Sequence, residues 1–273
     1  MRAGLTAYAA PPRLHALAGA LLPWLLSAAL LLGAAGLSVG LLHAPADAQQ
    51  GDAYRIVFIH VPAAWMSMVI YVAMAGWSAV GWIFGVRTAA MLARALAPSG
   101  LVCTLIALLT GAFWGKPAWG AWWVWDARLT SELILLFLYL GYVALVEAID
   151  DPRRADRAGA LIAVVGVVNV PVIYFSVRWW NTLHQGATIR LDRAPSMDDS
   201  MLLAMALTTL ALWCWTVAVV FVRLRAILLE RERGATWARE RAAGAGQSVE
   251  FARAPDATPV AEVARRAAGT VAA

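Results

Sequence analysis

Six long apolar runs, each close to the length that spans a bilayer, set the tightest limit on what this chain can fold into. They cover roughly residues 17–42, 59–84, 95–113, 129–149, 158–175 and 200–222. The shortest reach the ~18 residues that a membrane-crossing helix needs. Inside hydrocarbon every backbone N–H and C=O must be satisfied within the protein, so only helices or a closed barrel can cross. A barrel would show alternating segments of about ten residues, and these runs are continuously apolar. The expected fold class is therefore all-α, a polytopic membrane protein with six transmembrane helices. Hydrophobic residues make up 62% of the 273, as that reading requires. The first run follows Arg13 without a convincing cleavage site, so it reads as a retained span and not a signal peptide. Asn169 and Pro171 should kink the fifth span.

In such a chain the net charge of +5 says little about nucleic acid. The placement of the basic residues reports orientation instead. One side carries Arg2, Arg13, Arg87, Arg94, Arg153, Arg154, Arg157, Arg223, Arg225, Arg231 and Arg233, eleven in all. The other carries six: Arg55, Lys116, Arg128, Arg178, Arg190 and Arg193. The excess puts both termini in the cytoplasm. Three organisational segments follow: a cytoplasmic N-terminal segment 1–16, a six-helix domain 17–225, and a cytoplasmic tail 226–273. The tail is rich in Ala, Arg and Gly with few large apolar residues, a composition that favours disorder. Glu132 and Glu147 stand near opposite ends of the fourth span. With no charge in mid-span, a buried ionisable relay of the proton-coupled kind is not expected.

The stretch 114–130, WGKPAWGAWWVWDARLT, faces the outer side as a predicted loop. It holds Trp114, Trp119, Trp122, Trp123 and Trp125, then turns polar at Asp126, Arg128 and Thr130. Indoles collect at membrane–water boundaries, which accounts for one or two at a span end. Five so close together also suit a platform for a large planar anionic ligand with a cation at its rim. Asp126 stands where it can cap the fourth helix. Arg128 can snorkel to the interface or pair with an acidic ligand group, and Lys116 and Arg55 are weaker candidates of that kind.

His43, His60 and His184 fall on the same side as the tryptophans, whereas His15 lies on the other. A single interfacial histidine is ordinarily a polar anchor. Two with aromatic neighbours also suit a bis-imidazole metal site. Haem would unite these features: its iron takes axial histidine, its porphyrin stacks on indoles and its propionates pair with arginine. Zinc would call for a third or fourth ligand that the sequence does not cluster. Cys103 and Cys214 both lie in apolar runs and read as packing residues. Without CxxC or CxxCH, thiol exchange and covalent haem attachment to this chain lose support.

The segment WGKPAWGAWWVWDARLTSELILLFLYLGY, with IHVPAAW before it and NVPVIYFSVRWWNTLHQGAT after it, resembles the WWD signature of haem-handling membrane proteins. The three motifs in this order are similar to the haem exporter protein C (CcmC-like) family of the bacterial cytochrome c maturation (Ccm) system, over about residues 15–225. That resemblance implies haem b (iron-protoporphyrin IX) held at the outer face of the cytoplasmic (inner) membrane. It implies axial ligation by His60 and His184, and a haem-binding surface formed by Trp114, Trp119, Trp122, Trp123, Trp125, Asp126 and Arg128. It also implies delivery to a periplasmic haem chaperone, alongside an ABC transporter (ATPase and permease subunits) and a small single-span subunit. The function so implied is handling and presentation of haem, without turnover chemistry. Two other classes predict different behaviour. A permease subunit of a small-molecule ABC transporter would have a central polar cavity and no pigment. A structural scaffold would need neither histidine.

Overall fold

The structure is a computed structural model that describes residues 10–184, 195 and 197–243. The chain divides into two compact units, Met1–Ile227 and Leu228–Ala273. All described regular structure is helical, and six helical stretches are long and apolar enough to cross a membrane: Pro11–His43, Asp52–Phe84, Arg87–Trp119, Ala127–Ala148, Pro152–Trp179 and Asp199–Arg231. We label the α-helices α1 (Pro11–Ser38), α2 (Val57–Phe84), α3 (Arg87–Trp119), α4 (Ala127–Ala148), α5 (Pro152–Gly166), α6 (Asn169–Trp179) and α7 (Asp199–Arg231).

Each boundary has a local cause. Pro11 and Pro12 open α1, where their missing N–H groups leave no helical bond unmade. Gly85, at φ 66°, and Gly120, at φ 78°, close α2 and α3 in the left-handed region that a side chain would strain. Asp126 caps α4 by accepting the Leu129 N–H at 2.8 Å. Asp151 caps α5 in the same way through Arg154 N–H at 2.7 Å. The fifth span is broken between α5 and α6. Asn169 sits at the break and donates its side-chain N–H to the Ser131 carbonyl of α4 at 2.9 Å, while Pro171 occupies an early position of α6, where a missing N–H is tolerated.

The core lies between α2, α3, α4 and the α5–α6 pair. Met66, Ile70, Tyr71, Met74, Leu135, Tyr139 and Ile173 are buried in one apolar cluster. Tyr71 and Tyr139 meet edge to face at 5.0 Å. Their hydroxyls, which would be costly if left unpaired here, donate to the carbonyls of Ile162 at 3.2 Å and Ser67 at 2.8 Å. Small residues allow the close approaches between helices. A side chain at Gly100 would overlap the Tyr139 ring, and one at Gly36 of α1 would meet Thr208 and Leu207 of α7. At one end of the bundle, Arg94 of α3 pairs with Glu147 of α4 at 2.9 Å.

Four expectations need correcting. The third span is not the short run 95–113: α3 has 33 residues, about 50 Å at 1.5 Å each against a ~30 Å hydrocarbon core. Its surplus carries Trp114 through Trp119 as helix, so the predicted loop 114–130 shrinks to residues 120–126. The tail does not begin at residue 226, since α7 runs to Arg231, and residues 236–243 are helical. The remaining tail, 244–273, lies outside the described residues, as do residues 185–194 and 196 and the segment 1–9. Finally, Glu132 is not a peripheral charge. It is 7% exposed and accepts a hydrogen bond from Ser67 Oγ at 2.8 Å, so a buried acid does exist in the bundle.

Candidate functional site

At one end of the bundle, α2, α3 and α4 converge with the segment that follows α6. His60 enters from the first turn of α2, and Pro62 two residues later lies inside the helix, where it lacks the N–H for one helical hydrogen bond. The imidazole is 7% exposed. Its Nδ1 lies 3.1 Å from Thr110 Oγ1 of α3, and the Thr110 hydroxyl donates to the Ile106 carbonyl at 2.6 Å. With that proton committed, Thr110 can only accept from His60. The Nδ1 of a neutral His60 therefore carries the proton, which leaves the Nε2 lone pair for another partner. Gly111, one residue further along α3, lets the ring approach closely: a β-carbon there would stand 3.1 Å from His60 Cε1.

His184 comes from the other end of the sequence and meets His60 with ring centroids 6.0 Å apart and planes at 50°. Its placement runs through Asp126. One Asp126 oxygen caps α4, and the other accepts the Thr182 hydroxyl proton. Thr182 Oγ1 in turn accepts the His184 backbone N–H at 3.0 Å. One carboxylate thus ties the end of the Trp stretch to the segment bearing the second histidine. Burial, reinforced by the Arg128 and His60 charges nearby, lowers the His184 imidazole to about 3, so the ring is neutral across the physiological range. Its Nδ1 is buried without a hydrogen-bond partner among the described residues. A neutral imidazole with an unpartnered buried nitrogen suits a metal ligand.

The aromatic ring contacts fall into separate groups. Trp114 packs edge-on against His60 at 5.5 Å and donates to Gln50 Oε1 at 2.6 Å. Trp119 packs edge-on against His184 at 5.8 Å. Trp122 instead contacts Phe113 at 5.7 Å, and Trp123 pairs with Trp125 at 5.4 Å. Trp122 and Trp125 are largely exposed, at 54% and 77%. A further aromatic group follows on α6: Phe175 stacks on Trp179 at 5.1 Å and Trp179 meets Trp180 at 5.8 Å. Arg178 lies 6.0 Å from the Phe175 ring.

Arg128 borders the cavity shared by His60, His184, Trp119 and Glu132, and donates to the Ile173 carbonyl at 2.8 Å. Lys116 donates to the Gly120 carbonyl at 3.0 Å, and Arg55 bridges Asp52 at 2.8 Å and the Gly40 carbonyl at 2.7 Å. His43 is bound to the Ser38 carbonyl at 3.1 Å and shares no ring contact with the pair. Among the described residues no group of three or more His, Cys, Asp or Glu could hold a metal ion.

The two imidazoles, with ring centroids 6.0 Å apart, would be the residues to hold a metal ion or the iron of a haem here. The cavity itself is about 30 Å³, the size of a water molecule. Sequence reasoning had singled out the histidines, tryptophans, Asp126 and Arg128, but not Thr110, Gly111, Gln50, Glu132 or Thr182. Thr182 had a faint local signal, standing two residues before a histidine where its hydroxyl can take the backbone N–H. The other four act across helices and leave no local trace.

Comparison with known proteins gives a consistent match. The family described as "Heme exporter protein C" matches residues 4–239. Proteins with that description include one from Escherichia coli strain K12, 46% identical over 232 residues, covering 85% of this chain and 94% of that protein. One from Bradyrhizobium diazoefficiens is 45% identical over 221 residues, covering 81% and 84%. Another from Haemophilus influenzae is 41% identical over 232 residues, covering 85% and 94%.

Proposed function

The chain belongs to the heme exporter protein C family, a component of cytochrome c maturation, and from that premise we propose that it holds haem b at the periplasmic face of the inner membrane and presents it to a periplasmic haem chaperone. The observation that carries this reading is the meeting of His60 and His184, 124 positions apart in sequence, at a 6.0 Å ring separation between Trp114 and Trp119. The two histidines ligate the iron. Arg128, at the cavity rim, pairs with a propionate, and the indoles hold the macrocycle. The protein positions the group and leaves its vinyl edge accessible, while the reactivity belongs to the haem. The other components of the reading, an ABC ATPase and permease and a small single-span subunit, are the partners with which this face would work. The basic-residue asymmetry supports the orientation, with both termini inside.

Purification in mild detergent tests this. A Soret band with low-spin character is expected, and a colourless, apo-only preparation from haem-replete cells would overturn the reading. His60→Ala or His184→Ala should lose the low-spin spectrum and regain it with added imidazole. His43→Ala should leave it unchanged. If both single variants keep the wild-type spectrum, these histidines are not the axial ligands.

A further inference from the structure

Beyond the site cavity of about 30 Å³, a roomier cavity opens at the opposite end of the bundle. It lies 18 residues further along α2 from His60, about 27 Å away along the helix axis. Its volume is about 310 Å³, within the range of small-ligand pockets. Ser78, Trp82, Arg87, Arg153, Asp156 and Arg157 line it, drawn from the end of α2, the start of α3 and the start of α5. Three guanidiniums face one carboxylate there. Arg87 and Asp156 already have interaction partners, which leaves Arg153, Arg157 and Ser78 as the polar lining residues open to a ligand.

Ser78 is the second, independent sign. It is 3% exposed, yet its hydroxyl has no hydrogen-bond partner among the described residues. A helical serine commonly bonds to the carbonyl one turn back, as Thr104 and Thr208 do here. Ser78 does not, and a buried hydroxyl left unpaired at a cavity wall is costly. The depth is also informative. The cavity sits where the second apolar span ends and the third and fifth begin, with the half-exposed Trp82 indole beside it. Indoles take that position at headgroup level, and basic pockets between helices at that level suit anionic headgroups.

We propose that this cavity binds the phosphodiester headgroup of an anionic phospholipid, with Arg153 and Arg157 countering the charge and Ser78 donating to a phosphate oxygen. The site is independent of the haem reading, and its acyl chains would lie along the outer surface of α2 beside Trp82. A free phosphate shares the same chemistry, so the test separates the two.

The full-length protein, purified in mild detergent, is titrated with phosphatidylglycerol, phosphatidylcholine or inorganic phosphate. Native mass spectrometry follows adducts, and thermal unfolding follows stability. Phosphatidylglycerol should form retained adducts and raise the Tm, with little effect of the other two. The double variant R153Q/R157Q should weaken phosphatidylglycerol binding roughly tenfold or more. Ser78→Ala removes an unpaired hydroxyl, so the lipid-free Tm should hold or rise while phosphatidylglycerol binding weakens about tenfold. The Ser78→Ala arm stands even if the double variant fails to fold. Equal binding of phosphatidylcholine, full reproduction by inorganic phosphate alone, or wild-type lipid binding in either variant would each overturn the proposal. If the natural occupant is an acidic segment of a partner protein, the isolated chain will show no phosphatidylglycerol preference, which also overturns it.

Discussion

Two hydroxyls set the histidines. Thr110 accepts from His60 and passes its own proton to a helix carbonyl, and Thr182 links the His184 backbone to Asp126. Neither residue touches the proposed iron position, so each acts by fixing a ring. Replacing Thr182 with Val removes its bond to the Asp126 carboxylate and the acceptor of the His184 N–H, a loss of about 1.5–3 kcal/mol. The expected outcome is a mixed-spin haem spectrum and roughly tenfold weaker haem retention, with Thr182→Ser restoring both. Asp126→Ala should do the same and also lose the α4 cap, lowering stability by about 1 kcal/mol more. Asp126→Asn keeps an acceptor for the cap and should spare most of the stability. Equal haem retention and spin state in Thr182→Val and wild type would show that the Asp126–Thr182 link does not position His184.

Helices fix what single residues cannot. The spacing between α3 and α4 depends on Gly100, because Tyr139 fills the space a side chain would need. Gly100→Ala should therefore lower stability by about 1–3 kcal/mol or prevent accumulation, readable by thermal unfolding in detergent. Gly111 lies on the same helix above His60, with a β-carbon clearance of 3.1 Å. Gly111→Ala should leave Tm near wild type and shift the haem spectrum, since only the His60 ring needs to give way. The contrast separates packing from site along one helix. It also explains what the sequence made legible. Six apolar runs and Asp126 as a cap were readable because hydrophobic length and capping are local. The helical state of Trp114–Trp119 was hidden by Pro117, which reads as a helix breaker yet is accommodated in the last turn of α3. Glu132 was misjudged because its partner, Ser67, comes from another helix and its position in sequence looks peripheral. Likewise the Trp stretch suggested one platform, and only the fold separates Trp114 and Trp119 from the Trp123–Trp125 pair.

Across the whole molecule, the proposed roles of both ends depend on which side each faces. The histidine pair, Trp114 and Trp119 share one end of the bundle with Lys116, and the basic cavity with Arg87 and Arg153 lies at the other. In the proposed orientation, drawn from the eleven-to-six split of basic residues, the first end faces the periplasm. Cysteine labelling checks this directly. Cys103 and Cys214 are the two cysteines present, and replacing both by Ala leaves a background in which single cysteines report position. Lys116→Cys and Arg178→Cys should react in intact cells with a thiol reagent that cannot cross the inner membrane, and Arg87→Cys and Arg154→Cys only after lysis. A cysteine added at Ala273 should follow the second pair. Deleting Arg239–Ala273 should leave haem delivery intact, because the deleted stretch supplies none of the site residues and its composition offers no core. If the tail reacts in intact cells, both ends of the bundle exchange sides together. His60 and His184 would then face the cytoplasm, where a periplasmic chaperone cannot reach them. The haem-presentation reading would fall with that single result, whatever spectrum the purified protein gives.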